Sequence, residues 1–257
     1  IQFILKKIRM KAFKLLALTS CFLFSAGNVA AQQDYSKSEG LLQYVDPYIG
    51  SGYHGHVFVG TSVPYGMVQL GPSNIHKGWD WCSGYNYADT TVIGFGHTHL
   101  SGTGIGDLND VSLMPVTGEV VFDRGTAGDP TSGMWSFFSR RNERCEPGYY
   151  RTRLDRYGID VELTATCRVG LSRYTFPQTG DAAVVLDLEN GLGWDEAVNC
   201  GVRRLDSMTV EGWRRSTGWA KDQQVYFHLR FSRPFSSISF VGDSLSVVDG
   251  EARGRHL

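Results

Sequence analysis

Basic charge is not in surplus in this sequence: 25 lysines and arginines stand against 26 aspartates and glutamates, a formal net charge of −1. Nucleic acid and anionic membrane surfaces are therefore excluded as charge-held partners, since both need a basic excess. Long apolar runs are missing as well. The stretch from Leu15 to Phe24 is too short for a transmembrane segment, which takes roughly 20 residues. Cysteine is sparse, five in 257 residues with no Cys-x-x-Cys pair, so no dense disulfide framework is encoded. The chain has neither a Gly-Lys-Ser/Thr phosphate loop nor a Gly-x-Ser-x-Gly nucleophile elbow. Past residue 31, apolar residues never hold an i, i+3, i+4, i+7 pattern over three turns, which excludes long amphipathic helices.

The N-terminus reads as an address rather than as fold. Lys11 and Lys14 precede the apolar run, and small residues lead to Val29-Ala30-Ala31, the three parts of a secretory signal. Met10 is a better start than Ile1, so residues 1–31 comprise a signal peptide with upstream residues. Leu18-Thr19-Ser20-Cys21 also fits a lipoprotein box, leaving lipidation at Cys21 as a second reading. Either way the mature protein is expected outside the cytoplasm, in the periplasm or at the cell surface.

What the chain does have is period-two alternation and turn residues, with 31 glycines. From Ile159 to Leu171 the odd positions are apolar or small, with Cys167 among them, while the even positions open with Asp160, Glu162 and Thr164. That pattern predicts one long strand with a single buried face and Cys167 inside. Val225, Phe227, Leu229 and Phe231 repeat the alternation, and Ala182 to Leu186 forms a continuous apolar run. Shorter strands are expected at residues 57–59, 67–70, 92–95, 111–114, 116–122, 149–154, 208–210 and 237–241. Many short strands with turn signals between them indicate an all-β antiparallel sandwich across residues 40–250. Residues 251–257, with little apolar content, are expected to be an aberrant or truncated tail.

Several groups carry chemistry. Gly50-Ser-Gly-Tyr-His-Gly55 matches the dinucleotide fingerprint in letters, but strand-like residues and Pro64 follow where a helix is required. His54/His56 and His97/His99 each offer two nitrogens on one face of a strand, without a clear third ligand for a metal. In Gly78-Trp-Asp-Trp-Cys-Ser-Gly-Tyr85, aromatic faces could pack on a pyranose while Asp80 bonds its hydroxyls; alternatively, both tryptophans are core. Asp107 and Asp110 are either paired carboxylates or a polar turn before a strand.

Together these segments resemble glycoside hydrolase family 92, the calcium-dependent exo-α-mannosidases. The similarity runs through Tyr44-Val-Asp-Pro-Tyr-Ile-Gly-Ser-Gly52, Gly55-His-Val-Phe-Val-Gly60, Val63-Pro-Tyr-Gly-Met-Val-Gln-Leu70 and Gly78-Trp-Asp-Trp-Cys-Ser-Gly-Tyr85. It continues through Ile93-Gly-Phe-Gly-His-Thr-His-Leu-Ser-Gly-Thr-Gly104 and Gly106-Asp-Leu-Asn-Asp110, with Gly96 standing where the family shows serine, a small-residue swap expected to matter little. The resemblance implies an N-terminal β-sandwich followed by an (α/α)6 barrel, with an inverting mechanism and a bound Ca²⁺. The acid, the base and most calcium ligands would lie in the helical domain, of which this chain shows no pattern. It further implies that Trp79, Asp80 and Trp81 contact sugar, with His97 and His99 lining the pocket or the domain interface. The expected partners are mannose-containing glycans and the C-terminal (α/α)6 domain. As an enzyme fragment the chain would then lack its catalytic carboxylates. The rival from another class is a free-standing carbohydrate-binding module.

Overall fold

Side chains alternate across a strand, so a run whose odd residues are apolar buries them only if a second sheet covers that face. The computed structural model, which describes residues 40–255 except 127, 130 and 243, meets that need with packed antiparallel sheets. The expected leader and Cys21 lie outside the described residues.

In chain order the strands are β1 (Thr61–Ser62), β2 (Gln69–Ser73), β3 (Thr91–Val92), β4 (Gly94–Gly96), β5 (Ser112–Thr117), β6 (Ser136–Phe137), β7 (Arg144–Glu146) and β8 (Tyr149–Leu154). There follow β9 (Ile159–Ala165), β10 (Gly170–Thr175), β11 (Ala182–Asp187), β12 (Glu196–Arg204), β13 (Thr209–Thr217), β14 (Gln223–Arg230), β15 (Ser246–Val248) and β16 (Glu251–Gly254). The first sheet has the order β1-β2-β4-β5-β11, the second β10-β9-β8-β7 and the third β14-β13-β12-β16-β15, while β3 and β6 form a short ribbon. All pairings are antiparallel among the described residues.

The first two sheets share one core. Tyr150, Thr152 and Leu154 of β8 stand opposite Leu163, Val161 and Ile159 of β9, and all six side chains are buried. Leu70, Phe95, Met114, Val116 and Val185 from the first sheet complete this core. Each such aliphatic side chain contributes about 1.5–3 kcal/mol by leaving water. Residues Ser112–Val116 of β5 are buried without alternation, since this strand is covered on both faces. Val111, Leu188, Ala197, Cys200, Val202 and Val210 form a second core that joins the first sheet to the third.

Three expectations are corrected. The strand expected from Ile159 to Leu171 is a hairpin: β9 stops at Ala165, and Thr166 and Val169 close the turn, Thr166 N donating to Val169 O at 2.9 Å. Cys167 therefore sits exposed at the hairpin tip, because the turn ends the alternation that would have turned it inward. Of residues 251–257, expected to trail past the domain, Glu251–Gly254 instead form β16, paired with both β12 and β15, with Ala252 fully buried. Residues 57–59 and 237–241 form no strand, whereas the polar segment 196–204 does.

Candidate functional site

Two loops meet to build the most exposed aromatic–polar cluster of the sequence motifs. The first is the turn from Gly50 to His56, closed by Val57 N donating to Gly50 O at 3.1 Å, with no helix after it to bind a pyrophosphate. His56 takes a left-handed conformation there (φ 55°). Its carbonyl is held by Gly102 N at 2.7 Å. The second loop is the single 3₁₀ turn Trp79–Trp81, entered through Gly78 at φ 132°, a backbone angle only glycine adopts freely. Trp79 donates its indole N–H to Gly104 O at 2.9 Å and sets its ring edge-on against His56, centroids 4.3 Å apart. Gly104, at φ 68°, approaches closely: a Cβ there would come within 3.1 Å of the Trp79 ring. The Trp79 side is still open, with 53% of the residue exposed. Beside it, Asp80 Oδ1 lies 2.5 Å from His54 Nδ1 and 3.5 Å from His56 Nε2.

The neighbouring tryptophan points elsewhere. Trp81 donates its N–H to Asp89 Oδ2 at 2.8 Å, and Lys77 Nζ approaches the same oxygen at 2.6 Å. The indole lines a separate cavity of about 290 Å³ with Asn74, His76, Arg124 and Asn190. Burial, reinforced by the Arg124 charge, lowers the His76 pKa there. The Trp-Asp-Trp motif thus serves two places.

The second histidine pair is internal bracing. His97 Nδ1 pairs with Val111 O at 2.6 Å. His99 Nδ1 pairs with Gln69 O at 2.8 Å and its Nε2 with Ser73 Oγ at 3.2 Å, while Phe58 stacks on the ring. Burial pushes the His99 pKa down to about 4 and also lowers that of the part-buried His97. Of the three expected sugar-contact residues, Trp79 and Asp80 come together and Trp81 lines the separate cavity; His97 and His99, expected at the pocket or interface, tie the ends of β2 and β4 to the loop before β5.

A charged centre not expected from the sequence lies beside the second core. Arg214 on β13 has no exposed side-chain surface, yet its guanidinium contacts Asp110 Oδ1 at 2.8 Å and Asp195 Oδ2 at 2.5 Å. Its Nε donates to Leu188 O at 2.8 Å. Asp110 also accepts from Thr98 Oγ1 and Gln223 Nε2, and Asp107 Oδ2 accepts Trp219 N at 2.8 Å. Burial raises the Asp195 pKa, against the pull of Arg214 and with help from Asp107 and Asp110. The polar-turn reading of Asp107 and Asp110 therefore describes their contacts here. In this turn Leu108, Asn109 and Val111 all adopt positive φ (73°, 71° and 55°), strained for a β-branched residue above all. The signal for Arg214 was present: Val210, Gly212, Arg214 and Ser216 alternate onto the buried face of β13.

Calcium takes six to eight oxygen ligands. Among the described residues, the group of His, Cys, Asp and Glu that could hold a metal ion is His54, His56 and Asp80, which offers one carboxylate and two imidazoles. This donor set does not fit calcium. No helix among the described residues is long and apolar enough to cross a membrane.

Known proteins agree with this architecture. An uncharacterized secreted glycosidase of Arthroderma benhamiae is 29% identical over 143 residues, which cover 53% of this chain and 17% of that protein. A family GH92 α-mannosidase from Bacteroides thetaiotaomicron, solved alone and with mannoimidazole, superposes with a TM-score of 0.80 at 34% identity. The superposition covers 84% of this chain and 29–30% of the mannosidase. A further GH92 glycosyl hydrolase shares the fold at TM-score 0.61 and 24% identity, over 73% of this chain and 26% of its own. The chain thus spans under a third of these relatives. The glycosyl hydrolase family 92 N-terminal domain model matches residues 44–256, and the chain belongs to that family as its N-terminal β-sandwich.

Proposed function

We propose that this chain is the substrate-pocket and domain-interface module of an exported, inverting α-mannosidase that hydrolyses α-mannosides of glycans. The observation that carries the reading is Trp79: an indole pinned through its N–H, half exposed, with a carboxylate next to it, in a chain of this family. An indole face packs against the C–H face of a pyranose while a neighbouring carboxylate accepts hydroxyl hydrogen bonds. Export draws support from the secreted relative, and the mannoside from the mannosidase relative.

Inversion needs an acid and a base roughly 6.5–9.5 Å apart with a water between them. In this reading the helical domain supplies both, together with the calcium ligands. Asp110 and Asp195 support that division of labour, since both are committed to Arg214. Tyr65 and Met67 stand exposed beside the β9–β10 turn, where Met67 N donates to Cys167 O, and they suit an apolar interface with that second domain.

The test is an NMR titration of the chain with methyl α-mannoside, observing the indole N–H signals. The expected result is saturable shifts at Trp79 with a millimolar Kd, about 4 kcal/mol, abolished by Trp79→Ala and kept by Trp219→Ala. A Trp79 signal that stays fixed in a saturating titration sinks the pocket role, and release of mannose by this chain sinks the division of labour.

A further inference from the structure

We propose that His54, His56 and Asp80 form a binding site for one divalent first-row transition ion, with zinc as the natural probe. The sequence offered a His-x-His pair and no third ligand. The fold supplies that ligand by bringing the Trp79–Trp81 turn against the Gly50–His56 turn, so that one donor atom from each of the three residues lies within 4.8 Å of the others.

The independent pointer is His56. The residue is only 5% exposed, and its Nε2 is buried with no hydrogen-bond partner. A buried polar atom left unpaired costs about 1–3 kcal/mol, so a native fold retains one where something else satisfies it. Trp79 packs edge-on against the ring, centroids 4.3 Å apart, and covers it on that side. The free nitrogen is aimed at Asp80 Oδ1, 3.5 Å away, within ion-pair reach but without a hydrogen bond.

The distances suit an ion. Two ligands of a tetrahedral zinc, each at about 2.0–2.1 Å from the metal, stand about 3.3 Å apart. The His56–Asp80 separation of 3.5 Å is already near that edge. His54 Nδ1 sits closer to Asp80 Oδ1, at 2.5 Å, in hydrogen-bond contact. To share an ion with Asp80, His54 opens that gap by about 1 Å. This movement is free, since the His54 side chain is 73% exposed. Two imidazoles with one carboxylate favour zinc, nickel or copper over calcium and magnesium, which prefer all-oxygen shells. A fourth position remains on the open side of His54, where water completes the shell.

The proposal shares Asp80 with the mannoside reading, but its test uses no sugar, so either can fail while the other stands. Calorimetric titration of the chelator-treated 257-residue chain with zinc is expected to show one ion per chain, unaffected by excess calcium. Cobalt should give a visible ligand-field band at the same stoichiometry. His54→Ala, on the surface and safe for folding, should weaken zinc binding at least about tenfold, and Asp80→Asn should do the same. His228→Ala, a surface control, should leave affinity unchanged. The proposal is overturned by absence of 1:1 binding to folded protein, by wild-type affinity in His54→Ala, or by displacement of zinc with equimolar calcium.

Discussion

Replacing Arg214 with methionine isolates the charge of the buried centre, because methionine keeps most of the apolar stem and leaves little cavity. The guanidinium holds Asp110 and Asp195, both with no exposed side-chain surface, and also the carbonyl of Leu188. Removing one partner from such a buried set leaves uncompensated charge and costs about 3–5 kcal/mol. Burial already raises the Asp195 pKa in the intact protein. A raised folded-state pKa means that stability is fully present below the unfolded value and is lost as pH rises through the folded one. Without Arg214 that pKa climbs further, so the penalty grows with pH. Urea unfolding followed by tryptophan fluorescence at pH 7 and about pH 4.5 should show a smaller deficit at the acidic end. In an Asp195→Asn background, Arg214→Met should cost at least about 1 kcal/mol less, which measures the coupling directly. A deficit below about 1 kcal/mol at pH 7, or one equal at both pH values, refutes the reasoning.

The other predictions concern His99, Cys167 and Gly96. His99, held down to about pKa 4 by burial, takes up its proton in the unfolded chain before the folded one. Stability should therefore fall by roughly 3 kcal/mol between pH 6.5 and pH 4 on its account, and its imidazole C–H signals should not titrate above about pH 5. Among the four described cysteines, Cys167 is exposed, while burial pushes Cys145 up to about 12 and Cys200 to about 11. A thiol reagent on the native protein should label Cys167 rapidly, and Cys167→Ser should remove that fast phase. A Cβ built at Gly96 would overlap Asn109 Oδ1. Gly96→Ala should lower stability by about 1–3 kcal/mol; an unchanged melting temperature would refute this.

The first two sheets were legible because β8, β9 and β11 carry either clean alternation or a continuous apolar run, the two patterns that burial on one face or both imposes. The third sheet was harder to see. In β12 the sequence Glu-Ala-Val-Asn-Cys-Gly-Val-Arg-Arg has a bulge between Ala197 and Asn199, which breaks period two and hides the strand. The hairpin tip at Cys167 was missed for the opposite reason, since alternation ran through a turn without a glycine or proline to mark it. At the site, the motifs were visible but their partners were not. Nothing local says that Asp80 meets His54, 26 residues away, or that Arg214 meets Asp110 across 104. The two tryptophans of one motif part company, Trp79 toward solvent and Trp81 into a cavity, because a single 3₁₀ turn rotates successive side chains by about 120°.

The centre around Arg214 also constrains how this protein can change over generations. A lysine there would lose the fork that reaches two carboxylates and a carbonyl at once, and a neutral residue would strand two acids in the interior. Loss of either acid alone would leave the cation with half its counter-charge. Positions 110, 195 and 214 are therefore expected to drift as a set: any descendant lineage that abandons the arginine should have replaced both aspartates with apolar or neutral residues, and intermediates carrying one or two of the three changes should be the least stable members of the series.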